Sequence, residues 1–416
     1  MTLKIGISVR GFEWAGGIEL LRHFVNALLL VRDVYPLEIH LLLPEDNYIS
    51  SLRDVRTVGV QVLRRVLWDR SLSLPRRRAR WDSSLDDYFL QVETGAIVAH
   101  RHENSLGGLL RCARKVGVNV LFPVKETVGP GFPIPWIGYI PDFQHRYLTH
   151  LFAPNECFER EVLFASLLRD ATVTVVNARA ARDDVMKFFP WAAPDSIVAL
   201  PFAPAAPREW FDALGPEILA AYDLPKRYFV VSNQFWAHKD HRTAFRALAT
   251  VSKHEQFTDV GMVCTGAMHD YRHAGHMEEI HALIREHDLS RRLRLLGHIP
   301  KRHQVEIMKQ SVSSVQPTLF EGGPGGGSTY DAVALGVPVI LSDISVNREV
   351  QADNLDYFKP GDHAGLAEAM ISRLLAPGRR PPQHDLEARA SFAQRHLGQM
   401  LYEALAAAAT RRTRTT

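Results

Sequence analysis

Residues 316–350 constrain the fold of this chain more than any other stretch. They read QPTLFEGGPGGGSTYDAVALGVPVILSDISVNREV, in which two acids and a glycine-rich turn lie between apolar runs. An acid that directly follows a buried strand lies outside the carboxyl end of the strand, where parallel α/β sheets bind ligands. The stretch therefore predicts one β-α-β unit with a binding site at its turn.

The turn has the composition of a phosphate site. Its glycines would let the backbone adopt positive φ and approach a ligand closely. These glycines are Gly322, Gly323, Gly325, Gly326 and Gly327. We expect Ser328 and Thr329 to cap a helix that begins near Tyr330, with Asp331 in its first turn, so that free N–H groups hold a diphosphate. The alternative is an ordinary glycine loop.

The order of these parts resembles the C-terminal signature of family 4 retaining glycosyltransferases, which are of the group 1, mannosyltransferase-like type. The resemblance implies that Glu321 contacts the donor sugar as a catalytic residue and that Asp331 holds the ribose. Family members usually carry two glutamates at a closer spacing than Glu321 and Asp331 have here. The resemblance also implies the GT-B fold, in which two Rossmann-like doubly wound α/β domains face a central cleft.

Chain length and element order agree with two such domains. The 416 residues exceed what one core normally supports, and strand and helix patterns alternate along both halves. Three prolines within 201–210 indicate the crossing between domains. We predict an acceptor-binding domain over 1–203, a nucleotide-sugar domain over 204–384, and a terminal helix over 385–416 that packs back on the first domain.

Two further motifs fall in the first half. Gly16 and Gly17 form a predicted turn between the first strand and the first helix, and the resemblance places this turn beside the donor. An ordinary tight turn is the alternative. In the run WIGYIPDFQHRY, Asp142 and His145 follow a strand in a polar stretch that we expect to be exposed. The resemblance implies that His145 is catalytic. We expect both residues to contact the acceptor, although Asp142 could instead only form the turn.

The second half adds the cation for the leaving group. In FVVSNQFWAHKDH, Lys239 precedes a helix and offers a point charge for the diphosphate. A solvated surface lysine is the alternative. The family commonly adds a basic residue earlier, where Asn233 stands here as a donor contact, so we expect His238 or an arginine to share the charge. Thr265 and Gly266 follow the next strand and would lie against the nucleotide base, unless they form a simple turn.

Charge and cysteine content exclude some classes. A formal net charge of +3 does not suggest a nucleic-acid partner, and three scattered cysteines indicate reduced thiols. The start of the chain predicts no leader, and no apolar run is long enough to span a membrane. We expect a cytoplasmic protein. Seven arginines among apolar residues in 61–80 would suit contact with the inner face of the membrane, and a solvated insertion is the alternative.

The resemblance implies a retaining hexosyltransferase of polysaccharide synthesis. A GDP- or UDP-linked sugar would be its donor substrate, and a glycan or lipid-linked hydroxyl its acceptor. We find no DxD motif beside a strand and expect neither a catalytic metal nor a cofactor. Two alternatives stay open, which are a GT-B sugar-nucleotide epimerase or hydrolase and a non-catalytic nucleotide-sugar-binding subunit.

Overall fold

The computed structural model of the protein describes residues 2–12, 15–45, 97–215 and 219–410. The chain divides into two compact units. The first comprises Met1–Tyr139, Leu163–Val175 and Gly398–Thr416, and the second comprises Ile140–Val162 and Val176–Leu397. The domain boundaries at 203 and 384 stay predictions, and the basic segment 61–80 lies outside the described residues.

Two sheets organise the described chain, as the alternating pattern predicts. The first sheet has the order β3-β2-β1-β4-β5-β6-β7, and the second has the order β10-β9-β8-β11-β12-β13 with parallel pairing throughout. The strands are β1 (Leu3–Ser8), β2 (Leu37–Glu45), β3 (Ile97–Glu103), β4 (Val120–Val124), β5 (Trp136–Ile140), β6 (Val173–Val176), β7 (Ile197–Ala199), β8 (Arg227–Ser232), β9 (Val260–Thr265), β10 (Leu293–Gly297), β11 (Ser313–Gln316), β12 (Val339–Ser342) and β13 (Leu355–Phe358).

Helices connect these strands, as parallel pairing requires. They are α1 (Ala15–Leu29), α2 (Leu106–Val116), α3 (Gln144–Tyr147), α4 (Pro154–Asp170), α5 (Arg179–Phe188), α6 (His241–Val251), α7 (His276–Glu286), α8 (Lys301–Gln310), α9 (Gly326–Ala334), α10 (His363–Leu375) and α11 (Gln383–Thr410). None of the described helices is long and apolar enough to cross a membrane.

The second sheet is buried on both faces. Phe229 and Val231 of β8 belong to one apolar cluster, which also contains Leu248 of α6. Tyr228 and Val230 belong to a separate cluster on the other side, formed with helices α8 and α9. Because alternate side chains point to opposite faces of a strand, a sheet covered by helices on both faces needs a nearly continuous apolar run. The sequence RYFVVS of β8 meets this requirement.

The first helix begins earlier than its sequence pattern predicts. Helix α1 starts at Ala15, so Gly16 and Gly17 belong to its first turn and do not form a separate strand-to-helix turn. Gly17 is buried, while Gly16 is exposed. The three cysteines are free, as expected, but only Cys264 is fully buried.

The end of α11 packs against α1 within the first unit. Tyr402 stacks on Tyr35, with ring centroids 4.4 Å apart. A Cβ atom at Gly398 would lie 2.1 Å from the carbonyl oxygen of Ala27. The two backbones therefore approach so closely that no side chain fits between them.

Replacing Gly398 with Ala should reduce the free energy of unfolding by about 1–3 kcal/mol, because the clash involves rigid backbone. Denaturant titration of the wild type and the variant measures this difference. Gly107→Ala is the matched control, since the nearest atom to its Cβ is the mobile end of Arg111. There a helical alanine should be neutral or mildly stabilising. An equal effect at both positions would contradict the close packing of α11.

Candidate active site

The candidate site lies where the winding of the second sheet reverses. Strand β8 has β9 on one side and β11 on the other. Connections that leave neighbouring strands in opposite directions open a crevice at their carboxyl ends, which is where α/β sheets bind ligands. Asn233 follows β8, and the loop that contains Glu321 follows β11. Two of the predicted site segments therefore meet at this point.

The glycine-rich turn is present, but its helix starts at a different residue. Only Gly325 and Gly326 of the five glycines have positive φ, at 67° and 66°. Gly325 is the N-cap, so α9 begins at Gly326 and not near Tyr330. Ser328 and Thr329 thus lie inside the helix, and Asp331 lies beyond its first turn. The expectation that Ser328 and Thr329 cap the helix is wrong, because glycine takes the left-handed cap conformation instead.

Lys239 and Glu321 form an ion pair at this turn. The Nζ atom of Lys239 is 2.5 Å from Oε1 of Glu321, and the two side chains are 14% and 9% exposed. Gln316, the last residue of β11, donates to the same Oε1 at 3.0 Å and to the carbonyl oxygen of Gly325 at 2.7 Å. Asn233 donates to the Gln316 side-chain oxygen. These contacts join Asn233, Lys239, Glu321 and the glycine turn into one network.

A second polar network supports the turn. Asn347, which is fully buried, accepts a hydrogen bond from the Gly325 N–H at 2.9 Å and donates to the carbonyl oxygen of Ser342 at 2.8 Å. The Ser342 hydroxyl donates to the carbonyl oxygen of Thr318 at 2.6 Å. Thr318 in turn donates to the carbonyl oxygen of His238 at 3.2 Å. Sequence reasoning missed these residues, since isolated Ser, Thr and Asn residues carry no spacing signal.

Lys239 ends a 3₁₀ turn that starts at Ala237. Helix α6 follows, with Asp240 as its N-cap at a φ of 47°. Asp270, in the loop after β9, accepts a hydrogen bond from the Ala237 N–H at 2.8 Å. The backbone is therefore fixed before Lys239 by the Asp270 carboxylate and after it by the Asp240 cap. The position of Lys239 just ahead of a helix is as predicted.

His238 does not supply the second positive charge. Burial holds its pKa well below the ordinary value, and the nearby charges of Lys239 and Arg272 lower it further. Its Nδ1 atom lies 3.2 Å from Nη2 of Arg272, which can only donate. Arg272 is the arginine that the structure brings to this part of the site. In the sequence, the only indication that Arg272 belongs to the site is its position in the loop after strand β9.

Asp142 and His145 lie in the second compact unit, and Asp142 is close to the glycine turn. A Cβ atom at Gly322 would be 2.2 Å from the carbonyl oxygen of Pro141 and 2.8 Å from Cβ of Asp142. Asp142 accepts hydrogen bonds from the Gln144 N–H at 2.9 Å and from Arg160 at 3.1 Å, so it does form the local turn. Gln144 accepts a bond from Arg272 at 3.0 Å.

His145 is buried, contrary to the expectation of an exposed run. It is 1% exposed, and its Nε2 atom lies 2.6 Å from Oε1 of Glu161 on α4. Burial lowers the pKa of His145, although Glu161 opposes this shift. The prediction failed because Phe152 and Glu161, which contact the ring, reach it only through tertiary folding.

The remaining predicted donor residues have separate partners. Asp331 forms an ion pair with Lys301, the first residue of α8. Thr265 is buried and donates to Ser232 at 3.1 Å. Gly266 has a φ of 125°, and a Cβ there would lie 2.2 Å from the carbonyl oxygen of Asn233. Gly266 is thus required for the close approach of two strand-end loops, whatever its role toward a base.

This second half of the chain has a family match. Residues 220–391 match the family described as Glycosyl transferases group 1. The match covers less than half of the chain and lies within its second half. The match contains Lys239, the glycine turn and Glu321, which confirms the resemblance read from 316–350. No curated protein sequence matches the chain.

Solved glycosyltransferase structures share the fold over nearly the whole chain. HepE from Anabaena, in complex with UDP and glucose, has a TM-score of 0.62 at 12% sequence identity, covering 97% of this chain and 99% of HepE. A glycosyltransferase from Rickettsia africae has a TM-score of 0.61 at 13% identity, with 97% of both chains covered. Sucrose-phosphate synthase from Thermosynechococcus elongatus has a TM-score of 0.58 at 14% identity, covering 97% of this chain and 96% of that one. These likenesses confirm the predicted GT-B fold.

The glycine-rich turn should tolerate alanine at one glycine but not at its neighbour. Gly326→Ala places a residue with a side chain at positive φ, 2.9 Å from Nε2 of Gln316 and 3.1 Å from Glu321, and should cost about 1–3 kcal/mol. Gly327→Ala meets no atom within 4 Å and should stabilise the helix by about 0.5–1 kcal/mol. Unfolding free energies of the ligand-free variants measure both. Similar losses at the two positions would contradict this geometry.

His241, the first residue of α6, should make stability depend on pH. Burial lowers its pKa to about 3, and the ring stacks on Phe235 with centroids 3.9 Å apart. The unfolded chain binds the proton below about pH 6.5, whereas the folded protein does not. The stabilising contribution is therefore complete above pH 6.5 and is lost as the pH falls toward 3.

His241→Phe should flatten this dependence by about 1.4 kcal/mol per pH unit near pH 5, because phenylalanine cannot be protonated. Chemical denaturation of both proteins at several pH values gives the two slopes. Equal slopes for the wild type and the variant would show that His241 is not held neutral.

Proposed function

We propose that this protein is a retaining, metal-independent hexosyltransferase. It transfers a sugar from a nucleotide diphosphate-sugar to a hydroxyl of a glycan or lipid-linked acceptor, in polysaccharide synthesis at the cell envelope. The proposal is carried by the Lys239–Glu321 ion pair, which lies beside the positive-φ glycines at the start of α9. No other described feature combines a cation, an acid and a helix N-terminus at a sheet switch point.

The diphosphate is assigned to Lys239 and the start of α9. An ammonium group has three donors, so Lys239 can bind phosphate oxygens while one donor stays on Glu321. The first N–H groups of a helix have no partner within the helix, and the helix dipole favours an anion there. The Ser328 hydroxyl oxygen in this first turn is buried and lacks a hydrogen-bond partner among the described residues. It would complete the set of phosphate donors.

The sugar is assigned to Glu321 and the acceptor to the segment that contains Asp142 and His145. In the transfer step, the bond between the anomeric carbon and the diphosphate oxygen breaks. The acceptor oxygen bonds to the same face of the sugar, and the leaving phosphate oxygen takes its proton. The charge that develops on the phosphate is stabilised by groups that are already oriented, which is usually the largest catalytic contribution. His145 would act by positioning, since its ring is buried against Glu161.

A uridine nucleotide is the first donor to test. The fold relative HepE was solved with UDP-glucose, at a TM-score of 0.62 and 13% identity. We assign the base to the loops at Thr265 and Gly266 and the ribose to Asp331, whose carboxylate Lys301 already orients. GDP-linked sugars are the alternative donor class.

Calorimetric titration with UDP, GDP and dTDP in the presence of EDTA tests the donor site. One nucleotide should bind, and Lys239→Ala should weaken it at least about tenfold, because charged hydrogen bonds are worth about 1.5–3 kcal/mol each. Lys253→Ala is the matched control, since Lys253 is an exposed lysine that lies just after the end of α6. It should bind as the wild type does.

Glu321→Gln separates the sugar contact from the diphosphate contact. It should retain affinity for the free nucleotide but lose turnover of UDP-glucose, since a neutral amide accepts weaker hydrogen bonds from sugar hydroxyls than a carboxylate does. Release of UDP with and without alkyl glucosides as acceptors, and the NMR anomeric configuration of the product, report the reaction type.

Three results would contradict the proposal. Binding of no nucleotide, with the fold intact, would favour a non-catalytic subunit or a different site. Release of UDP without any acceptor would favour the hydrolase. An inverted product configuration would exclude the front-face step while leaving the donor site in place.

A further inference from the structure

A separate cluster of ligating side chains lies at the start of α7. His273, His276 and Glu279 each place one ligand atom within 4.8 Å of the other two. The Nε2 atom of His273 is 3.1 Å from Oε1 of Glu279, and these two side chains are 37% and 43% exposed. The donor site described above uses none of the three residues.

His276 is the unusual member of this cluster. It is 1% exposed, and neither of its ring nitrogens has a hydrogen-bond partner among the described residues. Buried side-chain nitrogens nearly always have a partner, and an imidazole that lacks one calls for a specific explanation. A neutral imidazole lone pair is also the commonest metal ligand in proteins.

We propose that His273, His276 and Glu279 bind one divalent transition-metal ion of the zinc class. Two imidazoles and one carboxylate suit Zn²⁺ or Co²⁺, whereas Mg²⁺ and Ca²⁺ prefer oxygen ligands alone. Bonds of about 2.0–2.1 Å in a tetrahedral site place ligand atoms roughly 3.3 Å apart. The His273–Glu279 separation already has this length, and both side chains are exposed enough to turn toward the buried ring of His276.

The backbone fixes the arrangement of the three ligands. The N–H of His276 donates to the carbonyl oxygen of His273 at 3.1 Å, so the two residues lie on one tight turn. His276 and Glu279 are three residues apart on α7 and thus share a face of the helix. The ligands therefore come from one short, ordered segment, and water would complete the coordination.

Neighbouring charges orient the Glu279 carboxylate but add no net electrostatic attraction for a cation. Nη1 of Arg242 is 3.0 Å from Oε2 of Glu279, which leaves Oε1 directed at His273. Asp270, which is buried near His276, has Arg272 as a neighbour at 3.8 Å. Two guanidinium groups thus offset two carboxylates, so affinity must come from coordination. We expect a dissociation constant in the micromolar range.

The proposed ion has a structural role. It would fix the segment between β9 and α7, which carries Asp270 and Arg272. Asp270 holds the backbone of Ala237, two residues before Lys239. The metal would stabilise this loop, and the assignment does not depend on the proposed transfer reaction.

Titration of untagged, EDTA-treated and desalted full-length protein with Zn²⁺ tests the site, using calorimetry. We expect one equivalent to bind, and Co²⁺ to give the visible absorption of a tetrahedral complex with nitrogen and oxygen ligands. His273→Gln and Glu279→Gln, at partly exposed positions, should each weaken Zn²⁺ binding at least about tenfold, since even loss of a group that only orients a ligand typically costs that much. His281→Gln, an exposed position on the same helix, should have no effect.

Several outcomes would overturn the proposal. These are failure of Zn²⁺ to bind, unchanged affinity in His273→Gln and Glu279→Gln, or equal weakening in His281→Gln, which would indicate nonspecific surface histidines. Mg²⁺ binding with the same affinity would also exclude the assigned class. Circular dichroism of each variant verifies the fold, and nucleotide binding in EDTA tests the donor site separately.

Discussion

The candidate site depends on one buried ion pair, between Lys239 and Glu321. Removing one partner of a buried pair typically costs about 3–5 kcal/mol, because the other charge is left desolvated. The two residues must therefore meet, although 82 positions separate them in the chain. They meet because β8 and β11 are neighbours at the point where the second sheet reverses its winding. The sheet order thus determines where the cation and the acid of the site can lie.

The polar residues around this pair explain how the chain departs from the pattern of the family that it resembles. Asn233 stands where a basic residue is common, and here its amide binds Gln316, which in turn holds Glu321 and the glycine turn. His238 stays neutral through burial, so it adds no charge beside Lys239. Lys239 therefore carries the positive charge nearest to Glu321, with Arg272 bound to the far side of His238.

Much of this arrangement is predictable from sequence because it is encoded locally. The acid after β11, the glycine turn and the lysine before α6 follow from strand ends and turn chemistry. The helix start was missed because Ser328 and Thr329 resemble caps, yet Thr329 donates from inside the helix to the carbonyl oxygen of Gly325. The burial of His145 depends on Glu161, sixteen residues away, and no periodic pattern reports such a contact. The Asn347 network has the same origin in tertiary packing.

That network matters for chemistry as well as for stability. Donors that stabilise a departing phosphate are effective only if they are oriented before the reaction, so that no reorganisation occurs during the step. Gly325 and Gly326 have the positive φ that lets the backbone approach a ligand closely, but glycine by itself is flexible. Asn347 and Gln316 hold Gly325 from its N–H and its carbonyl oxygen, respectively. The turn can therefore combine the close approach that only glycine permits with the rigidity that catalysis needs.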